Sequence, residues 1–153
     1  MTKIIGNPSK NNEIIKKILN NSTVSNKYIF NENEFRNEIL SEIKSDMSIL
    51  DIGKSMRDKY EKIICKEKKT LDLNIFDDYP DYQFDLSGEL IDNNSILFNK
   101  FDAIICLAVL EHVYNPFIAI NNIKSMLKRN GILFGYVPFL YHYHAPKNLE
   151  FQD

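Results

Sequence analysis

Apolar positions along this chain change rhythm near residue 46. Before it they recur at helical spacing. Ile14, Ile15, Ile18 and Leu19 follow Ser9, a residue suited to cap a helix. Phe35, Ile39, Leu40 and Ile43 share one face behind Asn31 or Asn33, and the polar run NNSTVSN reads as the loop between the two helices. After residue 46 short apolar runs alternate with helical patterns. MSILDI (47–52), KTLDL (69–73), YQFDL (82–86), FDAIICLAV (101–109) and ILFGYVPF (132–139) are five strand candidates. FDAIICLAV is apolar without alternation, as a strand covered on both faces should be.

Two helices are expected between these strands. Met56, Tyr60, Ile63 and Ile64 form one apolar stripe, and Ser55-x-x-Asp58 has the spacing of a capping box. Asn115-Pro116 opens the second helix with a cap and a proline at its first position. Phe117, Ile120, Ile123 and Leu127 line one side of it. Lys128 and Arg129 suit its C-terminal dipole, and Asn130-Gly131 is its stop. Strand–helix alternation of this kind argues for a parallel α/β sheet with right-handed crossovers. The organisation expected is one domain: a helical N-terminal extension over 1–45, a core over 46–139 and an irregular tail over 140–153.

Bulk properties narrow the function without naming it. A length of 153 residues suits a single domain, and 44% hydrophobic and 26% charged residues are ordinary for a globular chain. A net charge of −2 gives no electrostatic footprint for nucleic acid. There is no apolar stretch of membrane-spanning length and no signal-peptide pattern at the N-terminus. Cys65 and Cys106 sit in apolar segments without metal-ligand spacing, so they read as buried thiols in a cytoplasmic protein. The alternation of Tyr and His around His142-x-His144 is too weak a pattern to assign a metal site.

In a parallel sheet the ligand crevice lies at the carboxyl ends of the strands, where strand order reverses. Those ends carry chemistry here. Asp51 and Gly53 close the first strand, Asp72 closes the second 21 residues later, Asp85 closes the third, and Leu107 to His112 follow the fourth. An acidic residue about 20 positions beyond such a loop accepts hydrogen bonds from the ribose hydroxyls of an adenosine cofactor. Lys54, Ser55 and Met56 stand where further glycines are expected. A dinucleotide presses its pyrophosphate against bare backbone, and Lys54 would put a side chain there. S-adenosylmethionine has no phosphate, so one glycine suffices for it. The glycine deficit favours that cofactor over a nicotinamide dinucleotide and argues against a dehydrogenase.

The ordered set LDIG (50–53), LDL (71–73) and DL (85–86) resembles the first three motifs of class I S-adenosylmethionine-dependent methyltransferases. FDAIICLAVLEHVYNPFIAINNIKSMLKRNGILFGYVPF, 101–139, is similar to the central block of that family. The resemblance covers residues 47 to 139. It implies a three-layer Rossmann-like sandwich with a mostly parallel sheet of order 3-2-1-4-5. The family's usual C-terminal hairpin strands have no counterpart here.

By the resemblance, Asp51, Gly53, Lys54 and Ser55 surround the methionine part of the cofactor. Asp72 binds the ribose with Leu73 beside the adenine, Asp85 and Leu86 flank the adenine, and Leu107 lies near the sulfonium. His112 is the candidate general base. The function implied is methyl transfer from S-adenosylmethionine to a small-molecule acceptor, with neither nucleic acid nor membrane as partner. The alternative is a catalytically inactive methyltransferase-like binding or assembly protein. The fifth strand would be an open apolar edge, and a homodimer through that strand, or cover by the tail, is expected to protect it.

Overall fold

The computed structural model describes residues 4–5 and 32–138. Within them the chain forms β1 (Ile4–Ile5), α1 (Glu32–Glu42), β2 (Ser48–Ile52), β3 (Glu67–Asp72), β4 (Tyr82–Gln83), β5 (Phe101–Leu107), α2 (Pro116–Met126) and β6 (Leu127–Tyr136). Short 3-10 helices cover Arg57–Lys62 and Leu110–His112. The predicted first helix around Ile14 to Leu19 and the tail with Tyr141 to His144 lie outside the described residues.

The strands lie in the order β1-β6-β5-β2-β3-β4, every neighbour parallel. Read from β4 across to β6, this is the expected 3-2-1-4-5 sheet. β2 is the central strand, with Ser48 to Ile52 opposite Glu67 to Leu71 on one side and Ile49 to Ile52 opposite Ala103 to Cys106 on the other. All five of its residues are buried. Successive strand side chains point to opposite faces, and that alternation divides the interior into two layers. Ile49, Ala103, Ile105, Leu107 and Phe134 pack with Phe35 and Ile39 of α1 and with Ile43 just beyond it. Leu50, Ile52, Leu71, Ile104 and Cys106 pack with Ala119, Ile123 and Met126 of α2. One helix on each face completes the three-layer sandwich.

The predicted open edge is occupied. β1 pairs in parallel with β6, Ile4 opposite Leu133 and Ile5 opposite Phe134. Residues 4 and 5, read as part of a helical extension, are therefore strand.

Both predicted inter-strand helices differ in detail. Residues 56–64 make only the 3-10 helix. Its N-cap position falls on Met56, and no side chain caps it. The capping box does not form, because the Ser55 hydroxyl is buried and bound elsewhere. Met56 and Ile63 are buried as expected, but Ile64 is exposed. α2 starts where predicted, with the Asn115 side chain accepting the Phe117 and Ile118 N–H groups. It ends at Met126, four residues before the predicted stop, and Lys128 instead binds Asp102 at 2.8 Å across the sheet.

The buried face of α2 is also rotated. Ala119, Asn122, Ile123 and Met126 point inward, whereas Phe117 and Ile120 point out. Asn122 explains the rotation. Its side-chain oxygen accepts the Ile91 N–H, and its amide donates to the Leu86 and Glu89 carbonyls. A buried amide so satisfied fits a core position that a count of apolar residues assigns elsewhere.

Candidate functional site

β2 ends in a turn that only a left-handed backbone can make. Gly53 has φ +67°, and Lys54 (φ 48°) and Arg57 (φ 49°) are also left-handed. For residues with a Cβ that conformation costs about 1–2 kcal/mol. A Cβ at Gly53 would also lie 3.0 Å from a Val109 methyl carbon, so both φ and space favour glycine there.

Hydrogen bonds hold this turn on three sides. The Gly53 N–H donates to the Leu71 carbonyl on β3 (2.8 Å), and the Leu107 N–H at the end of β5 donates to the Ser55 hydroxyl oxygen (3.2 Å). From α1, the buried Arg36 guanidinium donates to the Ser55 carbonyl at 3.3 Å. Asp51 lies at the centre, fully buried. Its carboxylate accepts the Ser55 N–H (2.8 Å), the Met56 N–H (3.1 Å) and the Ser55 hydroxyl (2.9 Å). Burial pushes the Asp51 carboxyl up to about 6, against the pull of the Met56 and Ser55 hydrogen bonds and the Arg36 charge.

The ends of β3 and β4 are more open. Asp72 is half-buried, and Leu73 beside it is 55% exposed, an apolar surface open to a ligand. Asp72 Oδ1 accepts the Asn74 N–H (3.1 Å), and Oδ2 accepts the Tyr79 hydroxyl (2.9 Å). Burial, then the Asp72 hydrogen bond, push the Tyr79 phenol above its ordinary value, so it stays protonated and donates at neutral pH. The Lys54 ammonium lies 5.7 Å from the Tyr79 ring centre and 5.8 Å from that of Tyr60, within cation–π range.

Asp85 sits two residues past β4, exposed, with Oδ1 accepting the Ser87 N–H (2.8 Å), and Leu86 is buried behind it. Leu107 is buried at the end of β5. His112 is exposed in the 3-10 helix that follows, its Nε2 3.8 Å from the Glu111 carboxylate.

The sequence-predicted residues Asp51, Gly53, Lys54, Ser55, Asp72, Leu73, Asp85, Leu86 and Leu107 therefore lie along the carboxyl ends of β2, β3, β4 and β5. They divide by role. Asp51 and Ser55 spend their side chains on each other and on the backbone, so they shape the turn. Lys54, Asp72 and Leu73 present charge and apolar surface outward. Sequence reasoning missed Arg36, Tyr60 and Tyr79. Arg36 occupies one turn of α1 with Phe35 and Ile39, where an arginine reads as surface. The Tyr79-Pro80 pair reads only as a turn.

A cavity of about 440 Å³, lined by Leu90, Ile91, Phe98, Asn121, Lys124 and Leu127 among others, includes none of these residues. It adjoins the C-terminal half of α2 and the segment leading into β5. The chemistry of the strand ends, rather than cavity size, marks the candidate site. Among the described residues no group of His, Cys, Asp or Glu side chains has the arrangement of a metal centre.

Comparison with known proteins gives the family. The family described as "Methyltransferase domain" matches residues 37–135. The chain is 40% identical over 55 residues to the ubiquinone biosynthesis O-methyltransferase of Histophilus somni (strain 2336), covering 35% of this chain and 23% of that protein. It is 54% identical over 35 residues to the enzyme of the same name from Glaesserella parasuis serovar 5, covering 23% of this chain and 15% of that protein. Each match thus spans less than a quarter of the relative's length.

Among solved structures, a methyltransferase-assigned protein of Bacillus halodurans C-125 aligns with a TM-score of 0.49 at 16% identity, covering 67% of this chain and 49% of that one. A complex of the Haloferax volcanii Trm112 methyltransferase activator with a methyltransferase-assigned protein aligns with a TM-score of 0.47 at 14% identity, covering 65% and 49%.

Proposed function

The chain belongs to the methyltransferase-domain family, and on that premise we propose that it binds S-adenosylmethionine and methylates a small-molecule acceptor. The observation that carries the reading is Asp72. It is an acceptor at the end of the strand beside a glycine turn, with an exposed leucine next to it. A carboxylate offers about four acceptor directions, and two are used here. The remaining ones suit a ribose diol, and Leu73 suits the face of an adenine. At the turn, Lys54 offers a cation to the carboxylate of an amino-acid moiety. These residues fit the cofactor.

When bound, the cofactor supplies a methyl group on a sulfonium sulfur, open to displacement by an oxygen, nitrogen or carbon nucleophile. The protein's part is then chiefly alignment. Asp51 and Ser55 fix the turn, Asp72 fixes the ribose end, and Leu107 backs the reacting end of the crevice. In this reading His112, exposed in the 3-10 helix that follows β5, would take the proton of an acceptor hydroxyl or amine. The same reading keeps the protein in the cytoplasm, consistent with free Cys65 and Cys106. Among the described residues no helix is long and apolar enough to cross a membrane.

A second reading has one observation of its own. Tyr114, two residues before α2, is 98% exposed, and Phe117 in its first turn is 83% exposed. Such a surface suits a binding or assembly protein built on an inactive methyltransferase scaffold. Calorimetric titration with S-adenosylmethionine, S-adenosylhomocysteine and NAD separates the readings. Binding of the first two alone is expected. Binding of none sinks the enzyme reading in favour of the scaffold.

A further inference from the structure

The loop between β3 and β4 brings one aromatic side chain back over the strand ends. Phe76 and Tyr79 exchange backbone hydrogen bonds of 2.6 and 2.8 Å, and their rings stack with centres 6.3 Å apart. That closure returns Tyr79 to Asp72, seven residues earlier in sequence, and the hydroxyl binds Oδ2 at 2.9 Å. The same ring lies 5.7 Å from the Lys54 ammonium, with Tyr60 at 5.8 Å on that cation as well. Among the described residues, Tyr79 is thus the side chain that joins the carboxylate at the end of β3 to the cation in the β2 turn.

We propose that Tyr79 is a positioning residue that sets both ends of the cofactor seat, its hydroxyl orienting Asp72 for the ribose and its ring orienting Lys54 for the methionine carboxylate. The proposal rests on the S-adenosylmethionine reading above and deepens it. An unrestrained aspartate turns about its terminal bond, and an exposed lysine samples many rotamers. Each must be ordered before it contributes a directed contact. Tyr79 does this ordering before the ligand arrives. With the Asn74 N–H, its hydroxyl takes one acceptor direction from each Asp72 oxygen and leaves the others for the diol.

The two halves of this role are separable, because adenosine carries the ribose and adenine but no amino-acid carboxylate. Titrations of the full 153-residue chain with adenosine and with S-adenosylhomocysteine read them independently. Tyr79→Phe keeps the ring and loses the hydroxyl, so both ligands are expected to weaken by about tenfold with their ratio unchanged. Tyr79→Leu loses the ring as well, and S-adenosylhomocysteine should lose about a further threefold that adenosine does not. Lys54→Met in the otherwise native chain should weaken S-adenosylhomocysteine alone.

A merely structural role for Tyr79 would alter thermal stability and leave the ratio of the two ligands alike in both tyrosine variants. That equal ratio overturns the proposal, as does tighter binding by Tyr79→Phe, which would make the hydroxyl an obstruction. Should Tyr79→Leu fail to fold, an unchanged ratio in Lys54→Met overturns the Lys54 half and unchanged affinities in Tyr79→Phe overturn the Asp72 half. A native chain that binds neither ligand overturns the cofactor reading and this proposal together. A native chain that binds both, with variants that bind like it, overturns only the proposal.

Discussion

Two carboxylates end neighbouring strands of this sheet, and their surroundings are opposite. Asp51 on β2 is fully buried, with three hydrogen bonds donated from Ser55 and Met56. Asp72 on β3 is half-buried and takes one backbone and one tyrosine donor. The first is walled in by α1, Met56 and the end of β5, and its capacity is spent inside the protein. The second lies under a loop of exposed residues and keeps capacity for a ligand. Two aspartates in similar sequence settings, LDIG and LDL, thus divide into one that builds the turn and one that, in the proposed reading, meets the ligand.

The division predicts opposite phenotypes. Asp72→Ala should lower affinity for S-adenosylhomocysteine about 100-fold, near 2.7 kcal/mol, because a charged acceptor to two hydroxyls is lost. Its effect on stability should be small, and an equal loss of denaturant midpoint and affinity would erase the contrast. Ser55→Ala is the converse. It strips Asp51 of a donor and leaves the buried Leu107 N–H without its acceptor, so unfolding stability should fall by about 2 kcal/mol. Affinity should change less than in Asp72→Ala, as urea titration beside calorimetry would show.

The pH dependence of stability sharpens the same contrast. The folded-state value of Asp51 is raised from 3.8 to about 6. Between those values the folded protein holds a proton that the unfolded chain has released, so this group's contribution falls as pH rises from about 4 to 6 and is level above it. Asp102 pulls the other way. Partial burial raises it, but the Lys128 hydrogen bond and the Ser48 amide outweigh burial and hold it below its ordinary value. Its contribution is present above the unfolded value and lost as acid reaches the lowered one. In Asp51→Asn the falling component between pH 4 and 6 should vanish, a change of up to about 2 kcal/mol across that window. Urea midpoints at half-unit pH intervals would reveal it. The smallest effect expected is from Arg57→Gly. Removing a left-handed arginine should stabilise the protein by about 0.5 kcal/mol after glycine's greater freedom in the unfolded chain is subtracted. A loss in melting temperature would show that the arginine side chain is needed where it stands.

Much of the fold could be read before any coordinates, because buried parallel strands announce themselves as short apolar runs. All five strand candidates after residue 46 are strands, in the expected order. The failures have a common physical origin. Tertiary hydrogen bonds decided them, and periodicity is blind to such bonds. The Ser55 hydroxyl is taken by Asp51 and Leu107, so it caps nothing. Asn122 is buried because three backbone groups from the segment before β5 need it. Lys128 leaves the helix to meet Asp102. At the site, Asp51, Gly53 and Asp72 were legible because turn geometry and a strand-end carboxylate leave sequence signals. Tyr79 was not, since only the closure of its loop brings it to Asp72.

Parallel neighbours in a sheet are ordinarily joined by a dozen or more residues, most often a helix. Here β3 and β4 are joined by residues 73–81 alone, with Leu73, Ile75 and Phe76 more than half exposed. A segment with so little buried surface opens locally at low free energy. The fraction of molecules in which it is closed therefore multiplies the intrinsic affinity of the crevice beneath it. Warming the protein well below its melting point should populate the open form and weaken ligand binding while the sheet stays intact. Ligand, in turn, should slow amide exchange in 73–81 more than anywhere in β2. The missing crossover helix makes local order in one nine-residue loop a variable of binding.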